Sequence, residues 1–154
     1  YGREIIQQDL VVEANQPLVK KFLYPTPRVN QAKELYEFAS SMIDLSDGLY
    51  CDLGKMVFES DKGARIDVSK LPISATLNYF LGRKKSIEKA LTGGDDYELC
   101  FTVPKIKKNE FDLLTQSSKE VEYTNIGEIT NENGVKLLDG NSEFILTGNN
   151  YSHF

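Results

Sequence analysis

Apolar residues recur at Leu49, Leu53, Met56 and Val57, offsets of 0, 4, 7 and 8, which is one stripe of an amphipathic helix predicted over residues 47–60. Upstream, Ala32, Leu35, Tyr36, Phe38 and Ala39 predict a helix over residues 31–40, and Ser41-Met42-Ile43 a short buried strand ending at Asp44. The period then falls to two: Ala64, Ile66 and Val68 alternate with Arg65 and Asp67, a half-buried strand over residues 63–68. Residues 84–91 read as a short helix stopped by Gly93-Gly94, and residues 97–103 as an apolar strand closed by Pro104. Phe111, Leu113 and Leu114 place a helix within residues 105–119. Three short strands follow, near residues 123–129, 135–138 and 144–146, with Asn133-Gly134 and Asp139-Gly140 as hairpin turns between them.

Residues 1–29 read as a lead-in at the start of the same domain, interrupted by Pro17, Pro25 and Pro27. Residues 30–154 form a single α+β domain without repeats or an internal linker. The chain has 154 residues, enough for one real core, and no apolar run near the roughly 18 residues of a membrane span. Its 18 basic and 23 acidic side chains leave a net charge of −5, which argues against broad nucleic-acid binding. An acidic protein still binds nucleotides, through divalent metals. Cys51 and Cys100 read as buried free thiols, which suits a cytoplasmic location. The chain begins at Tyr1 rather than Met, as a processed protein or a piece of a longer one would.

Chemistry concentrates in two places. In Asp44-Leu45-Ser46-Asp47-Gly48-Leu49 a strand ends, two carboxylates and a hydroxyl follow, and a helix begins. A helix N-terminus favours phosphate, and carboxylates are hard ligands suited to Mg²⁺. The plain alternative is capping of the helix by Ser46 or Asp47. In Thr92-Gly93-Gly94-Asp95-Asp96-Tyr97-Glu98 paired glycines allow close approach of a ligand before two acids enter a strand. Strand alternation sends Asp95 and Asp96 to opposite faces, and the plain alternative is a helix C-cap with solvated acids. The single histidine, His153, is one residue from the end, which argues against Ser-His-Asp or Cys-His catalysis. There is no P-loop or GxGxxG sequence, and Arg83-Lys84-Lys85 reads as a solvated helix start rather than a phosphate clamp.

Taken in order, these segments resemble the C-terminal domain of the thiamine-monophosphate kinase family, within the aminoimidazole ribonucleotide synthetase-like superfamily. The resemblance runs through Tyr24-Pro25-Thr26-Pro27-Arg28, the Asp44–Leu49 segment, Asp52-Leu53-Gly54 and Gly63-Ala64-Arg65-Ile66-Asp67. It continues through Leu71-Pro72, Ala90-Leu91 and the 92–99 segment, Phe101-Thr102-Val103-Pro104, Ile126-Gly127 and the ending Tyr151-Ser152-His153-Phe154. It implies a mixed β-sheet flanked by helices and an ATP- and Mg²⁺-dependent kinase acting on thiamine monophosphate to give thiamine diphosphate. It also implies a homodimer and an N-terminal domain, absent from this chain, that supplies much of the nucleotide and metal site. By the same resemblance Asp44 and Asp47 are metal ligands, Ser46 contacts ATP, and Asp95 and Tyr151 contact thiamine monophosphate. Asp95 stands where the family often has Glu, one methylene shorter.

Phosphoryl transfer to a phosphate oxygen needs no strong base, because the acceptor is already anionic; metals and positioned dipoles carry the work. A site rich in carboxylates and poor in histidine agrees with that. The competing readings are a non-catalytic binding or oligomerisation module, and a superfamily member using ATP on a different phosphate acceptor.

Overall fold

The structure, a computed structural model, describes residues 1–118 and 120–147. The lead-in is largely helical: α1 (Gly2–Gln7) packs against α2 (Gln16–Leu23). Pro17 stands in the first turn of α2, where a missing N–H costs nothing, so this proline starts a helix rather than breaking one. α3 (Val29–Leu35) ends a turn earlier than its periodicity predicts, and a turn follows in which the Phe38 and Ala39 N–H groups share the Leu35 carbonyl at 2.9 and 2.8 Å.

β1 (Ser41–Asp44), α4 (Leu49–Glu59) and β2 (Gly63–Asp67) fall where the pattern places them. The next helix, α5 (Ala75–Leu81), was not anticipated; its signal is Ser74, whose hydroxyl accepts the Leu77 N–H at 3.1 Å as an N-cap. α6 (Arg83–Thr92), β3 (Leu99–Thr102), α7 (Lys108–Ser117), β4 (Gly127–Thr130), β5 (Gly134–Asp139) and β6 (Ser142–Glu143) complete the chain order. Arg83, at the start of α6, grips Asp139 through two hydrogen bonds of 2.8 and 2.9 Å rather than being merely solvated. No helix among the described residues is long and apolar enough to cross a membrane.

Two sheets form. β1 and β3 pair antiparallel, from Ser41 opposite Thr102 to Asp44 opposite Leu99. The other sheet has the order β4-β2-β5-β6, with β2 and β5 parallel and the remaining pairs antiparallel. It is the expected mixed sheet; α4 packs on its two central strands, β2 and β5, and α6 packs on α4. Leu49, Leu53, Met56 and Val57 of α4 meet Ala64 and Ile66 of β2, Val68, Leu71, Ile87 and Leu91, and Leu137 of β5. On the far side of β3, Phe101 packs edge-on against Phe111 and Tyr123, with centroids 5.6 and 6.0 Å away.

One expected turn is corrected. Asn133-Gly134 does not join a hairpin, because β2 lies between β4 and β5, and Gly63 pairs with both Thr130 and Gly134. A buried central strand with both edges filled outweighs a local hairpin that would leave one edge unpaired. The 131–133 loop must therefore cross the end of β2, and it does so over Gly63. A Cβ there would stand 1.7 Å from the Glu132 carbonyl oxygen. Gly63→Ala should accordingly cost about 1–3 kcal/mol in chemical denaturation, the range for overpacking; an unchanged midpoint would mean that the loop shifts freely. Asp139-Gly140 does close a hairpin, between β5 and β6, with Gly140 at φ +64°.

Candidate functional site

Between the end of β1 at Asp44 and the start of α4 at Leu49 the chain must reverse within residues 45–48. Asp52, one turn into α4, holds that reversal together. Its Oδ2 accepts the backbone N–H groups of Ser46 at 2.9 Å and Asp47 at 2.8 Å. Asp52 is 1% exposed, and its other oxygen accepts a bond from Lys55 Nζ at 2.9 Å. A carboxylate buried so deeply requires such partners. The same ammonium pairs with Asp47 Oδ2, and these two bonds push the Lys55 pKa well above its ordinary value. The N-cap of α4 is Gly48, not Ser46 or Asp47.

Gly48 has φ +99°, and a Cβ on it would lie 2.9 Å from the Thr92 carbonyl carbon and 3.0 Å from the Leu91 oxygen. Only glycine lets the 44–48 turn sit this closely on the end of α6. Across that contact run three backbone hydrogen bonds. The Asp95 N–H donates to the Ser46 carbonyl at 2.9 Å, the Tyr97 N–H to the Leu45 carbonyl at 2.8 Å, and the Leu45 N–H to the Glu98 carbonyl at 2.9 Å. The two motifs, some fifty positions apart in sequence, thus form one structural unit.

The second motif departs from its expected geometry. β3 begins at Leu99, not Tyr97, and both Asp95 (φ +66°) and Tyr97 (φ +52°) have left-handed backbone. Simple alternation therefore does not govern where Asp95 and Asp96 face. Nor is Gly93 a left-handed C-cap, since its φ is −76°.

Cations reach this segment from the lead-in. Arg3 pairs with Asp95, whose other oxygen accepts the Tyr97 hydroxyl at 3.2 Å. Arg28 grips Glu98 with two hydrogen bonds of 2.8 and 3.0 Å, and Lys21 pairs with the same carboxylate. Burial pushes the Glu98 carboxyl up, but the bonds from Arg28 and Lys21 outweigh it and hold the group below its ordinary value of 4.5. Asp96 goes the other way: burial raises its pKa, only partly offset by Lys21. A broad open groove runs past Gly93, Gly94, Asp95, Asp96 and Glu98.

A lowered carboxylate pKa stabilises the fold above the unfolded value and loses that contribution as pH falls through the folded one. Glu98→Gln should therefore lower the melting temperature at pH 7, and the gap from wild type should close as pH falls below about 4.5. A gap that persists at lower pH would show that packing, not charge, is lost.

Of the residues singled out from sequence, Asp44 is exposed at the end of β1 and makes no side-chain hydrogen bond or ion pair among the described residues. Ser46 and Asp47 lie in the turn held by Asp52, and Asp95 lies on the adjoining segment. Tyr151 lies outside the described residues. Asp47, Cys51 and Asp52 bring possible ligand atoms within 4.8 Å of one another. That trio does not suit Mg²⁺, because a thiol is a soft ligand and the Asp52 oxygens are committed to the turn and to Lys55. The carboxylates of Asp44 and Asp47 do suit it, since Mg²⁺ takes one or two carboxylates and completes its shell with water and phosphate. Both cysteines are free, and burial pushes the Cys100 thiol up to about 11, leaving it protonated and unreactive at neutral pH.

Asp52 and Lys55 were not recognised as site residues from the sequence. The available signal is an acid on an apolar stripe: Asp52 lies among Leu49, Leu53 and Met56 at helical spacing.

A mixed sheet flanked by helices, with an acidic strand-to-helix turn clamped to a glycine-rich segment, defines a class of domain. Residues 3–140 match the family described as AIR synthase related protein, C-terminal domain, and the chain belongs to that family. Within it, the chain is similar to thiamine-monophosphate kinases. It is 41% identical to the one from Escherichia coli strain K12, over 99% of this chain and 48% of that protein. It is 36% identical to the one from Haemophilus influenzae, over 89% of this chain and 43% of that protein. Among solved structures, thiamine-monophosphate kinase from Stenotrophomonas maltophilia K279a superposes with a TM-score of 0.80 at 36% identity, covering 88% of this chain and 45% of that one. AaThiL complexed with AMPPCP and TMP superposes at 0.77 with 28% identity, covering 99% and 47%. The chain spans about half the length of the curated relatives it matches.

Proposed function

We propose that this chain is the C-terminal half of a kinase that moves the γ-phosphoryl group of ATP onto thiamine monophosphate, making thiamine diphosphate with Mg²⁺. The observation that carries the reading is the backbone bonding of the 44–48 turn to the 93–98 segment, which joins a candidate metal-and-phosphate turn to a candidate acceptor segment. In the reaction the bond from the γ-phosphorus to its bridging oxygen breaks. A bond from that phosphorus to a phosphate oxygen of the acceptor forms, and ADP leaves.

Asp44 and Asp47 would hold Mg²⁺, whose charge offsets the repulsion between the phosphates. The Ser46 hydroxyl, which makes no hydrogen bond among the described residues, is left for ATP. Asp95, which pairs with Arg3, would offer thiamine monophosphate a carboxylate, either for its thiazolium cation or for a hydrogen bond from its aminopyrimidine. An N-terminal half completes the nucleotide and metal site, and a cytoplasmic homodimer is the expected assembly.

The test is formation of thiamine diphosphate by the full-length protein with ATP, Mg²⁺ and thiamine monophosphate. Activity abolished by EDTA supports the reading; phosphorylation of a different acceptor in its place would overturn it. The 154-residue chain alone should show no turnover while still melting in one cooperative transition. Asp95→Ala and Tyr151→Ala in the full-length protein should raise KM for thiamine monophosphate far more than KM for ATP. Tyr151→Phe should be mild, because an aromatic face attracts a cation by ~0.5–2 kcal/mol without help from the hydroxyl. Equal changes in both KM values would remove the two residues from the acceptor site.

A further inference from the structure

We propose that Arg28 is a positioning residue: through Glu98 it fixes the direction of the 93–98 segment that receives the phosphoryl acceptor, while Lys21 supplies charge alone. The inference rests on the kinase reading above and deepens it, by giving the lead-in a part in acceptor binding.

The chain around Arg28 is stiff. Pro25 and Pro27 each fix their own φ and hold the preceding residue out of the helical region, so the link between α2 and α3 has little freedom. Arg28 also anchors the next helix, its carbonyl accepting the Ala32 N–H at 2.8 Å. Its guanidinium therefore works from a fixed base, with the side chain only 23% exposed.

At its tip the guanidinium meets Glu98 as a fork: Nε donates to Oε2 at 2.8 Å and a terminal nitrogen donates to Oε1 at 3.0 Å. Two bonds to two oxygens set the plane of the carboxylate as well as its place. An ammonium, a point charge on a flexible stem, does not. Lys21 pairs with Oε1 of the same carboxylate from a side chain that is 40% exposed. The two cations thus contribute differently to one acid.

Direction matters at this point of the chain. Glu98 stands just before β3 and follows Tyr97, whose left-handed backbone is unfavourable for a bulky residue. The Glu98 carbonyl accepts the Leu45 N–H at 2.9 Å, next to the bonds that Asp95 and Tyr97 make to Ser46 and Leu45. The 44–48 turn is locked separately by Asp52, so loss of the fork loosens the 93–98 side of this junction. Arg28, Glu98 and Gly93–Asp96 line one groove, so the pair borders the space that the acceptor would enter.

The experiment is steady-state kinetics of the full-length protein with ATP, Mg²⁺ and thiamine monophosphate. It compares wild type, Arg28→Lys, Lys21→Gln, Glu98→Gln and the double variant Arg28→Lys/Glu98→Gln, each well below its melting temperature. Arg28→Lys should raise KM for thiamine monophosphate about fivefold to twentyfold and KM for ATP less than about twofold, as expected when a group loses its geometry but keeps its charge. Lys21→Gln should stay within about twofold of wild type for both substrates. Glu98→Gln should raise the same KM as Arg28→Lys, and the double variant should be no worse than the worse single one, because both changes break one pair. Hydrogen–deuterium exchange of the ligand-free protein should be faster at residues 93–98 in Arg28→Lys than in wild type. A lower melting temperature with both KM values and the exchange unchanged would overturn the proposal and leave the pair a structural tie. Additive effects in the double variant would overturn it as well, since Arg28 would then meet the substrate without Glu98. An active wild type beside an unaffected Arg28→Lys variant sinks the proposal alone, whereas a wild type inactive toward thiamine monophosphate removes the underlying reading and the proposal with it.

Discussion

If Asp44 and Asp47 hold Mg²⁺ as proposed, Asp44→Asn and Asp47→Asn in the full-length protein are each expected to lower kcat by about tenfold to a hundredfold and to raise the Mg²⁺ concentration needed for half-maximal rate. An amide keeps the size of the carboxylate but replaces a full negative charge with a dipole, so the cation is held less tightly where charge develops. The two variants should differ in stability. Asp44 is exposed and unpaired among the described residues, so its replacement should leave the melting temperature almost unchanged. Asp47 pairs with Lys55, and its replacement should shift the melting temperature slightly, within the small range of partly exposed ion pairs. Steady-state rates over a Mg²⁺ titration, measured beside thermal melts, separate the effects. An unchanged Mg²⁺ requirement in both variants would reduce these residues to parts of a turn.

The largest stability loss is expected from Asp52→Ala. It strands the N–H groups of Ser46 and Asp47 beneath the turn and removes the fixed partner of Lys55. Breaking a buried, hydrogen-bonded charge in this way costs about 3–5 kcal/mol. Activity should fall as well, because Asp47 and Ser46 are placed by these bonds, although Asp52 itself has no free oxygen for a ligand. Asp52→Asn keeps an acceptor for the turn and should lose less stability. Chemical denaturation gives the stability change, and the Mg²⁺ titration shows whether the turn still positions Asp47. A loss below about 1 kcal/mol for the alanine variant would mean that the turn is held mainly by its contacts with residues 93–98.

Much of the architecture is written locally. The stripe of Leu49, Leu53, Met56 and Val57 specifies a helix and the face it buries, and the alternation of Ala64 and Ile66 with Arg65 specifies a strand; both came out as their periodicity implies. The short apolar run at Met42-Ile43, followed by acids and a glycine, likewise marks where a strand must stop and a helix begin. These features depend on residues within one or two turns of each other, so the order of residues alone determines them.

Other features depend on which distant segments meet, and no local pattern carries that information. Asn133-Gly134 has the composition of a hairpin turn, yet β2 takes the place between β4 and β5, because burying a central strand requires both of its edges to be paired. Left-handed backbone at Asp95 and Tyr97 accompanies their hydrogen bonds to Ser46 and Leu45, partners some fifty positions away; Asp visits that region readily, but Tyr does not. Arg3, Lys21 and Arg28 lie about seventy or more positions from Asp95 and Glu98, and only the packing of the lead-in brings them there. The sequence by itself therefore determined most of the elements, α1, α2 and α5 excepted, and the two acidic motifs. The tertiary structure decided their partnership, and with it the buried Asp52 and the shared Lys55, because pairing of strand edges and neutralisation of buried charge are settled only between parts of the chain that are far apart along it.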